Sequence, residues 1–333
     1  MSLIEVRDVS KVFKVFDRKE GVWGGIQNLF SRRYKDLKAV DGISFSIEAA
    51  EMVGYIGANG AGKSTTIKML TGILVPTAGV VLSNGYVPFR DRGRYTRTIG
   101  VVFGQRTQLW WDIAVIESFH LLRKIYEIPE RDYRSRLEIF NQVLDLKPFL
   151  HTPVRKLSLG QRMRCDLAAA LIHNPRIVFL DEPTIGLDIV AKENIRQFLR
   201  RINQELQITI LLTTHDLSDI EELCRRVIII DHGKILFDGQ LDELRKRLAC
   251  KSQLLLELRE PVPMHSVQLE FPREVEFNQL DEMHYRFIFD KRTVASAELV
   301  RGLVNSLPVK DLSLEDTTIE EIVREIYSRG GLD

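Results

Sequence analysis

An eight-residue loop of fixed pattern constrains the fold of this chain more than any other feature. Residues 57–64 read GANGAGKS, which fits G-x-x-x-x-G-K-[S/T] at every fixed position. The loop follows the apolar run EMVGYIG and opens the run STTIKML, whose spacing is helical. A loop of this kind joins a buried strand to a helix and turns its backbone N–H groups toward an anion. The pattern therefore predicts a sheet that ends in a phosphate-binding turn.

The residue types of this loop suit the phosphates of a nucleotide. Its glycines let the backbone turn tightly at the start of a helix. The Lys63 ammonium is placed to reach the β- and γ-phosphates, and the Ser64 hydroxyl to ligate Mg²⁺. The alternative, a glycine-rich loop that only turns the chain, leaves the lysine and the hydroxyl unexplained. The predicted nucleotide-binding residues are Gly57, Asn59, Gly60, Ala61, Gly62, Lys63, Ser64 and Thr65.

Strand-like and helix-like segments alternate after the loop. RIVFLDEP (176–183), ITILLTTHD (208–216) and RVIIIDHGKILFDG (226–239) are apolar enough to be buried strands. The alternation predicts an α/β fold of the P-loop NTPase class, with a mostly parallel core sheet covered by helices on both faces. The strands before the loop are expected to form an antiparallel side sheet, and residues from about 106 to 172 a helical subdomain.

The pattern changes near residue 249. Residues 250–333 mix short strands, such as MHYRFIFD, with helices, such as VASAELVRGLVN. They predict a small C-terminal α+β domain after a larger domain at residues 1–249. Within that larger domain, residues 14–38 form an insertion between the first two strands.

Composition narrows the class of protein. The 333 residues carry a net charge of +1, which gives no reason to expect a nucleic-acid partner. No apolar run approaches the roughly 18 residues of a membrane-spanning helix, and the start MSLIEVRDVSK lacks a signal-peptide core. Cys165, Cys224 and Cys250 are too widely spaced for a metal pattern and are expected to be thiols in a reducing cytosol. We therefore expect a soluble chain that reaches a membrane only through a partner.

Two further segments carry candidate chemistry. Asp181 and Glu182 end the apolar strand in RIVFLDEP, at the sheet edge that faces the nucleotide in P-loop folds. One acidic residue there is suited to hold Mg²⁺ and the next to polarise an attacking water, although a strand ending in a charged turn is the simpler alternative. In KLSLGQRMR, Ser158 and Gly160 precede a helix and offer N–H groups and a hydroxyl to an anion, or only cap that helix.

The order of these motifs resembles that of one family. The glycine-rich loop is followed by FGQ (103–105), LSLGQ (157–161), FLDEP (179–183), GLD (186–188) and TTHD (213–216). This order is similar to the ATP-binding cassette (ABC) family, the ATP-binding subunits of ABC transporters, over roughly residues 3–248. The resemblance implies an ABC-type fold in which two copies of the chain close head to tail. Each ATP would then lie between the loop of one copy and the LSLGQ segment of the other.

The resemblance also implies a role for each matched residue. Gln105 would sense Mg²⁺ and the attacking water, Asp181 would associate with the metal, and Glu182 would act as general base. His215 matches a γ-phosphate contact, and Asp188 the residue that couples the two sites. The implied contacts across the dimer are Ser158, Gly160 and Gln161; the implied metal-associated residues are Ser64, Gln105 and Asp181; the implied catalytic residues are Glu182, His215 and Gln105.

Several positions depart from the family pattern or leave alternatives. Leu159 stands where the commoner signature, LSGGQ, has glycine. Phe13 best matches the aromatic that stacks on adenine, with Phe16 and Tyr34 as rivals. The 14–38 insertion, with seven basic and three acidic residues, is either a basic amphipathic element for the membrane or permease or a long hairpin on its own sheet. Trp110 and Trp111 either contact a permease or pack inside the helical subdomain.

The expected function follows from the family. The chain would bind and hydrolyse ATP and energise a separately encoded permease at the cytoplasmic face of the cell membrane. PTIGLDIVAKENI and the tail after residue 248 are similar to cassettes of drug, lipid or polysaccharide exporters, so export is the expected direction. The alternative is a soluble ABC ATPase of the translation-factor or chromosome and repair type, which usually carries two cassettes or a coiled-coil insert. A P-loop kinase or GTPase would leave LSLGQ and TTHD unexplained.

Overall fold

The computed structural model describes residues 2–16, 34–104, 106–248, 251–262, 275–316 and 319–329. The chain divides into two compact units, Met1–Asp238 and Gly239–Asp333. The helix at Leu241–Leu248, which the sequence pattern assigned to the end of the larger domain, belongs to the second unit. No helix in the described ranges is long and apolar enough to cross a bilayer. Cys165 and Cys224 are buried free thiols, and Cys250 lies outside the described residues.

The first unit alternates strands with helices. Its strands are β1 (Ser2–Phe16), β2 (Tyr34–Glu48), β3 (Met52–Gly57), β4 (Ala78–Ser83), β5 (Ile99–Phe103), β6 (Ile177–Asp181), β7 (Thr209–Thr213), β8 (Arg226–Asp231) and β9 (Lys234–Gln240), whose last two residues lie in the second unit. Its helices are α1 (Lys63–Leu70), α2 (Arg92–Tyr95), α3 (Val115–Ile125), α4 (Glu130–Leu144), α5 (Leu159–Leu171), α6 (Ile189–Leu206) and α7 (Leu217–Leu223).

A six-stranded sheet forms the core of this unit. Its order is β5-β6-β7-β3-β8-β9, and the pairs β5–β6, β6–β7, β7–β3 and β3–β8 are parallel. Val178, Phe179 and Leu180 of β6 are fully buried, as is typical of a parallel strand covered on both faces. The predicted mostly parallel core sheet is confirmed. Because the strands are parallel, the turns after β3, β6 and β7 emerge at one edge.

An antiparallel side sheet of order β2-β1-β4 is also confirmed. The β1–β2 pairing continues past Phe13↔Leu37 to Phe16↔Tyr34. The two ends of the predicted 14–38 insertion therefore extend the strands of a hairpin, as one of the two alternatives expects. Residues 17–33, with the aromatic and apolar side chains of the amphipathic alternative, lie outside the described residues.

Three helices between β5 and β6 form the predicted helical subdomain. They are α3, α4 and α5. Helix α5 packs closely on the core sheet, because a Cβ at Gly100 of β5 would lie 2.3 Å from the Ala170 carbonyl oxygen. The subdomain and the sheet therefore meet with no room for a side chain at this position.

His173 lies where the chain leaves α5 for the core sheet. Its Nε2 is 2.9 Å from the Ile99 carbonyl oxygen, and its ring stacks on Tyr126 with centroids 4.0 Å apart. The buried Nδ1 has no hydrogen-bond partner among the described residues. Burial lowers the pKa of His173 to about 4, and the nearby Arg136 guanidinium acts in the same direction. The ring is therefore neutral near pH 7, with Nε2–H donating to Ile99.

Acid is expected to weaken the first unit through His173. Because its pKa falls from an ordinary 6.5 to about 4 on folding, the stability it gives above pH 6.5 is lost as the pH falls between those values. We expect the wild type to lose about 2–3 kcal/mol relative to His173→Phe between pH 7.5 and 4.5. Urea unfolding followed by tryptophan fluorescence measures this, since all three tryptophans belong to the first unit. A difference that does not change with pH would contradict the assignment.

The second unit is a small α+β unit, as predicted. Its antiparallel sheet has the order β11-β12-β10-β13, with β10 (Lys251–Leu258), β11 (Glu276–Gln279), β12 (His284–Asp290) and β13 (Val309–Asp316). Its helices are α8 (Leu241–Leu248), α9 (Ser296–Ser306) and α10 (Ile319–Arg329). Alternate residues of β10 and β12 pack with Leu299 and Leu303 of α9. The short polar strand β11, EFNQ, was not predicted, because its side chains carry no strong strand pattern.

Candidate nucleotide-binding site

The phosphate loop lies between β3 and α1, as its pattern predicts. Gly62 has a φ of 112°, a conformation that side chains oppose. A Cβ there would lie 2.6 Å from the Ala39 carbonyl oxygen, and one at Gly57 would lie 2.5 Å from that of Ile230. Both glycines are therefore required by the close approach of neighbouring backbone. Asn59, Gly60 and Ser64 lie on the exposed side of the loop, Thr65 is half-buried, and Ala61 is buried.

Lys63 occupies the inside of this loop. Its side chain is 6% exposed, and its Nζ donates to the carbonyl oxygens of Gly57 and Ala58 at 2.6 and 3.1 Å. Burial lowers the pKa of the ammonium, while the carboxylates of Glu182 and Asp181 oppose that shift. The lysine charge is therefore held inside the loop and faces two acidic side chains.

Helix α1 begins at Lys63 without a side-chain cap and without an acidic residue in its first turn. Its residues therefore leave the positive end of the helix dipole uncompensated within the helix itself. Together with the buried ammonium, this end is suited to bind the phosphates of a nucleotide.

Asp181 and Glu182 follow the core strand β6 at the same edge of the sheet. Thr213 Oγ1 donates to Asp181 Oδ1 at 2.5 Å, and the Gly104 N–H donates to the Asp181 carbonyl oxygen at 2.7 Å. Glu182 adopts a φ of 56°, in the left-handed region that non-glycine residues seldom occupy. The backbone thus turns abruptly at Glu182. Such conformations are concentrated at functional sites.

His215 faces Glu182 across this edge. Its Nδ1 is 3.3 Å from Glu182 Oε1, although the two residues are far apart in sequence. The His215 side chain is 58% exposed, against 24% for Glu182. The structure therefore brings the predicted general base and the predicted γ-phosphate contact together.

A cleft of about 400 Å³ joins the phosphate loop to the end of β6. Ser64, Asp181 and Glu182 line it, with the unpredicted Lys68 and Arg106. Ser64 and Asp181 place a hydroxyl and a carboxylate, both hard oxygen donors, on one cleft, and this donor set fits Mg²⁺. Gln105 lies outside the described residues. In the sequence, the position of Arg106 directly after FGQ was the one indication that it would lie at this cleft.

Mg²⁺ commonly binds through one or two protein oxygens together with substrate phosphates. Among the described residues there is no group of three or more His, Cys, Asp or Glu side chains able to hold a metal by themselves. The oxygens of Ser64 and Asp181 are consistent with a metal that arrives with the nucleotide.

The signature segment caps helix α5. The Gln161 N–H donates to Ser158 Oγ at 3.3 Å, and the Ser158 N–H donates to Gln161 Oε1 at 3.0 Å. Leu159 begins the helix, and its Cδ2 would lie 3.0 Å from a Cβ at Gly186. The leucine of LSLGQ therefore packs toward the GLD loop of its own chain. Of the described residues that line the cleft, none belongs to this segment.

Two further predicted residues make contacts of their own in the first unit. Asp188 caps α6, where its Oδ1 accepts from the Ala191 N–H at 2.8 Å. Phe13 is half-buried in β1, with the Lys11 ammonium 5.3 Å from its ring centroid. Neither residue is among the described residues that line the cleft.

Asp166 is a buried carboxylate that sequence reasoning missed. Its Oδ1 accepts from Thr107 Oγ1 at 2.8 Å and from the Gln108 N–H at 3.1 Å. Burial raises the pKa of Asp166 to about 6, against the effect of these hydrogen bonds. The residue ties the segment after Gln105 to helix α5. The sequence around Asp166 has a helical pattern that does not indicate this contact.

Known sequences match the chain over this site. The sequence model of the ABC transporter family matches residues 40–185. The ABC transporter ATP-binding protein NatA of Bacillus subtilis (strain 168) is 34% identical over 64% of this chain and 88% of the relative. The Nod factor export ATP-binding protein I of Ralstonia nicotianae is 36% identical over 64% and 66%. The methionine import ATP-binding protein MetN 2 of Enterococcus faecalis is 31% identical over 74% and 68%.

A solved structure matches the fold. It is the dimeric structure of an ATP-binding cassette in a post-hydrolysis state, bound to ADP and Pi. Sequence identity to it is 25% and the TM-score is 0.60, over 72% of this chain and 98% of that chain. With its P-loop core sheet, its cleft at the end of β6 and these relatives, the chain belongs to the ABC transporter family, as an ATP-binding subunit that binds and hydrolyses ATP.

Proposed function

We propose that two copies of this chain close head to tail around two ATP–Mg²⁺ pairs and so drive a separately encoded permease. One observation carries this proposal: Ser64, Asp181 and Glu182 share a cleft, while Ser158, Gly160 and Gln161 do not line it. The cleft of a single chain thus contains predicted residues of the phosphate loop and of the end of β6, and none of the signature segment LSLGQ. The solved relative in a post-hydrolysis state is dimeric, which supports a second copy as the source of the other half.

Gly160 supports the same arrangement. A Cβ at this position would meet Ala191 and Leu187 side chains at 3.6 and 3.7 Å, which is ordinary van der Waals contact. The described fold of one chain therefore has room for a side chain at Gly160. Because the residue nevertheless has no side chain, we favour a role in which a ligand or the backbone of a partner comes close to Gly160. A γ-phosphate held by the loop of the other copy fits that requirement.

Ser64 and Asp181 would hold Mg²⁺, which supplies charge neutralisation of the β- and γ-phosphates when bound. Lys63 and the N–H groups at the start of α1 bind the phosphate chain. Glu182 orients the attacking water and accepts its proton. His215 contacts the γ-phosphate. We assign Gln105 to the water and metal, Asp188 to communication between the sites, and Phe13 to the adenine.

A permease is the proposed partner, at the cytoplasmic face of the cell membrane. Trp110 and Trp111 are 40% and 48% exposed in the first unit, which favours the contact alternative for them. We propose the unit Met1–Asp238 as the cassette domain and the unit Gly239–Asp333, which includes the helix at Leu241–Leu248, as an accessory domain. Export is the proposed direction, on the resemblance to exporter cassettes and one relative named for export; another relative is named for import. The soluble ABC ATPase is not favoured, because these relatives are transporter subunits.

Ser158→Glu tests the dimer. A carboxylate at the predicted γ-phosphate contact places negative charge beside a phosphate, and we expect ATP-dependent dimerisation and at least about 90% of hydrolysis to be lost. ATP binding to the isolated chain remains, because the phosphate loop is untouched. Sedimentation with ATP and a phosphate-release assay measure the two outcomes.

Ser135→Glu is the matched control, since it adds the same charge at an exposed position of α4. It is expected to dimerise and hydrolyse ATP as the wild type does. Full hydrolysis by Ser158→Glu, or full-rate hydrolysis by a strictly monomeric wild type, would overturn the dimer proposal.

A further inference from the structure

A buried carboxylate lies behind the Glu182–His215 pair. It belongs to Asp219 of α7, whose side chain is fully buried. Three side chains from three different segments donate hydrogen bonds to it: Thr184, Thr214 and Arg196. None of the predicted roles uses this residue.

One oxygen of Asp219 joins the two loops that carry the pair. Oδ2 accepts from Thr184 Oγ1 at 2.5 Å and from Thr214 Oγ1 at 3.3 Å. Thr184 lies two residues after Glu182, and Thr214 immediately precedes His215. Both threonines are buried, so that water does not compete for their hydroxyls. A displacement of either loop would therefore break a bond to Asp219.

The other oxygen is held by helix α6. Oδ1 accepts a hydrogen bond from Arg196 Nε at 2.7 Å and forms an ion pair with the Nη2 of the same guanidinium, 2.6 Å away. Arg196 is held in turn by Glu222 and Ser218 of α7, at 2.8 and 2.7 Å. The guanidinium compensates the buried charge of Asp219, and its hydrogen bonds fix the orientation of the carboxylate. Oδ2 is thereby aimed at the two threonines.

The positions of Glu182 and His215 depend on the anchoring of the loops that carry them. The left-handed backbone at Glu182 persists only where its surroundings hold it, and the Thr184 bond lies two residues away. His215 is largely exposed, so that little packing restrains its ring. The 3.3 Å approach of the two side chains therefore depends on how the two loops are anchored.

We propose that Asp219 is a positioning residue for ATP hydrolysis, which holds Glu182 and His215 opposite each other through Thr184 and Thr214. This inference rests on the proposed function, because it takes Glu182 as the general base. A misplacement of about 1 Å in a catalytic group costs on the order of a hundredfold in rate. Binding of ATP depends instead on the loop between β3 and α1 and is expected to change little.

The first test removes one hydroxyl without changing the size of the side chain. Thr184→Val is expected to lower the kcat for ATP about 10- to 100-fold, and to leave KM within about threefold of the wild type. Thr184→Ser keeps the donor and is expected to stay within about threefold of the wild-type kcat. Failure of serine to restore the rate would overturn the role of the hydroxyl.

Thr209→Val is the matched control for lost stability. Thr209 is fully buried at the opposite end of β7, where its Oγ1 accepts from the Ala50 N–H at 2.8 Å. Urea unfolding is expected to show a comparable loss of stability for both valine variants, with kcat lowered in Thr184→Val alone. Equal kcat values for the two variants would show that the network is merely structural and would overturn the proposal.

The second test addresses Asp219 itself. Asp219→Asn and Thr184→Val are expected to lower kcat non-additively when combined, since both break the same link. If Asp219→Asn does not fold, Thr214→Val takes its place in the cycle with the same expectation. Additive effects would overturn the link through Asp219.

The Glu182→Gln variant separates this inference from the proposed function. Full hydrolysis by Glu182→Gln would remove the general base and with it the proposed mechanism. Loss of hydrolysis in Glu182→Gln, together with wild-type kcat in Thr184→Val, would overturn the positioning role alone.

Discussion

Glu182→Gln is expected to bind ATP, to accumulate as an ATP-bound dimer and to hydrolyse ATP at least about 100-fold more slowly than the wild type. The amide keeps the size of the side chain and its hydrogen-bonding capacity toward His215, 3.3 Å away. It cannot accept a proton from the attacking water at neutral pH. Because the phosphate loop is unchanged, nucleotide binding is retained. Single-turnover hydrolysis and sedimentation in the presence of ATP measure both effects.

Glu138→Gln provides the control for this variant. Glu138 is an exposed residue of α4 that accepts a hydrogen bond from Gln142, at 3.2 Å, and Glu138→Gln makes the same change of charge outside the cleft. Its hydrolysis is expected to stay within about twofold of the wild type. Wild-type hydrolysis by Glu182→Gln would remove Glu182 from the role of general base, whatever its place beside His215.

Lys63→Ala is expected to lose ATP binding itself. The variant removes a cation that is 6% exposed and is held inside the phosphate loop by the carbonyls of Gly57 and Ala58. No other cation of the described residues is held in this way by the loop carbonyls. We expect ATP affinity to fall at least about 100-fold, the scale of a charge-assisted contact in a sheltered site. Equilibrium binding of a fluorescent ATP analogue measures the change.

Lys68→Ala distinguishes position from charge. Lys68 belongs to the same helix and lines the same cleft, but it is exposed. It is expected to lower ATP affinity by less than about threefold, because water screens an exposed charge. Equal losses in the two variants would show that general charge in the cleft, rather than the buried ammonium, holds the nucleotide.

The fold was predictable where its signal is local. The loop at 57–64 requires glycines that only a strand–loop–helix turn explains, and the apolar runs of β6 and β7 require burial on both faces. The register in which strands pair could not be predicted from such local signals. The hairpin pairing that runs out to Phe16↔Tyr34 depends on the neighbouring strand, and β11 has no apolar pattern of its own.

The residue types of the site could be predicted from the sequence, but the hydrogen bonds that join its residues to the rest of the fold could not. The motif order pointed to Lys63, Asp181, Glu182 and His215, and the structure brings these residues to one edge of the core sheet. The buried carboxylates Asp166 and Asp219 were missed. Each contacts residues from distant parts of the chain, and an acidic residue on a helix usually faces water.

The sequence by itself determined the phosphate loop and the alternation of strands and helices, since steric preferences and apolar periodicity act over a few neighbouring residues. The order of its short motifs indicated the family by resemblance. Only the tertiary structure decided that Glu182 meets His215, that Leu159 packs toward Gly186, and that one oxygen of Asp219 serves two loops. The physical reason is that contacts between residues far apart in the chain depend on how whole elements pack. That packing is set by the combined surfaces of many side chains, which no short segment contains.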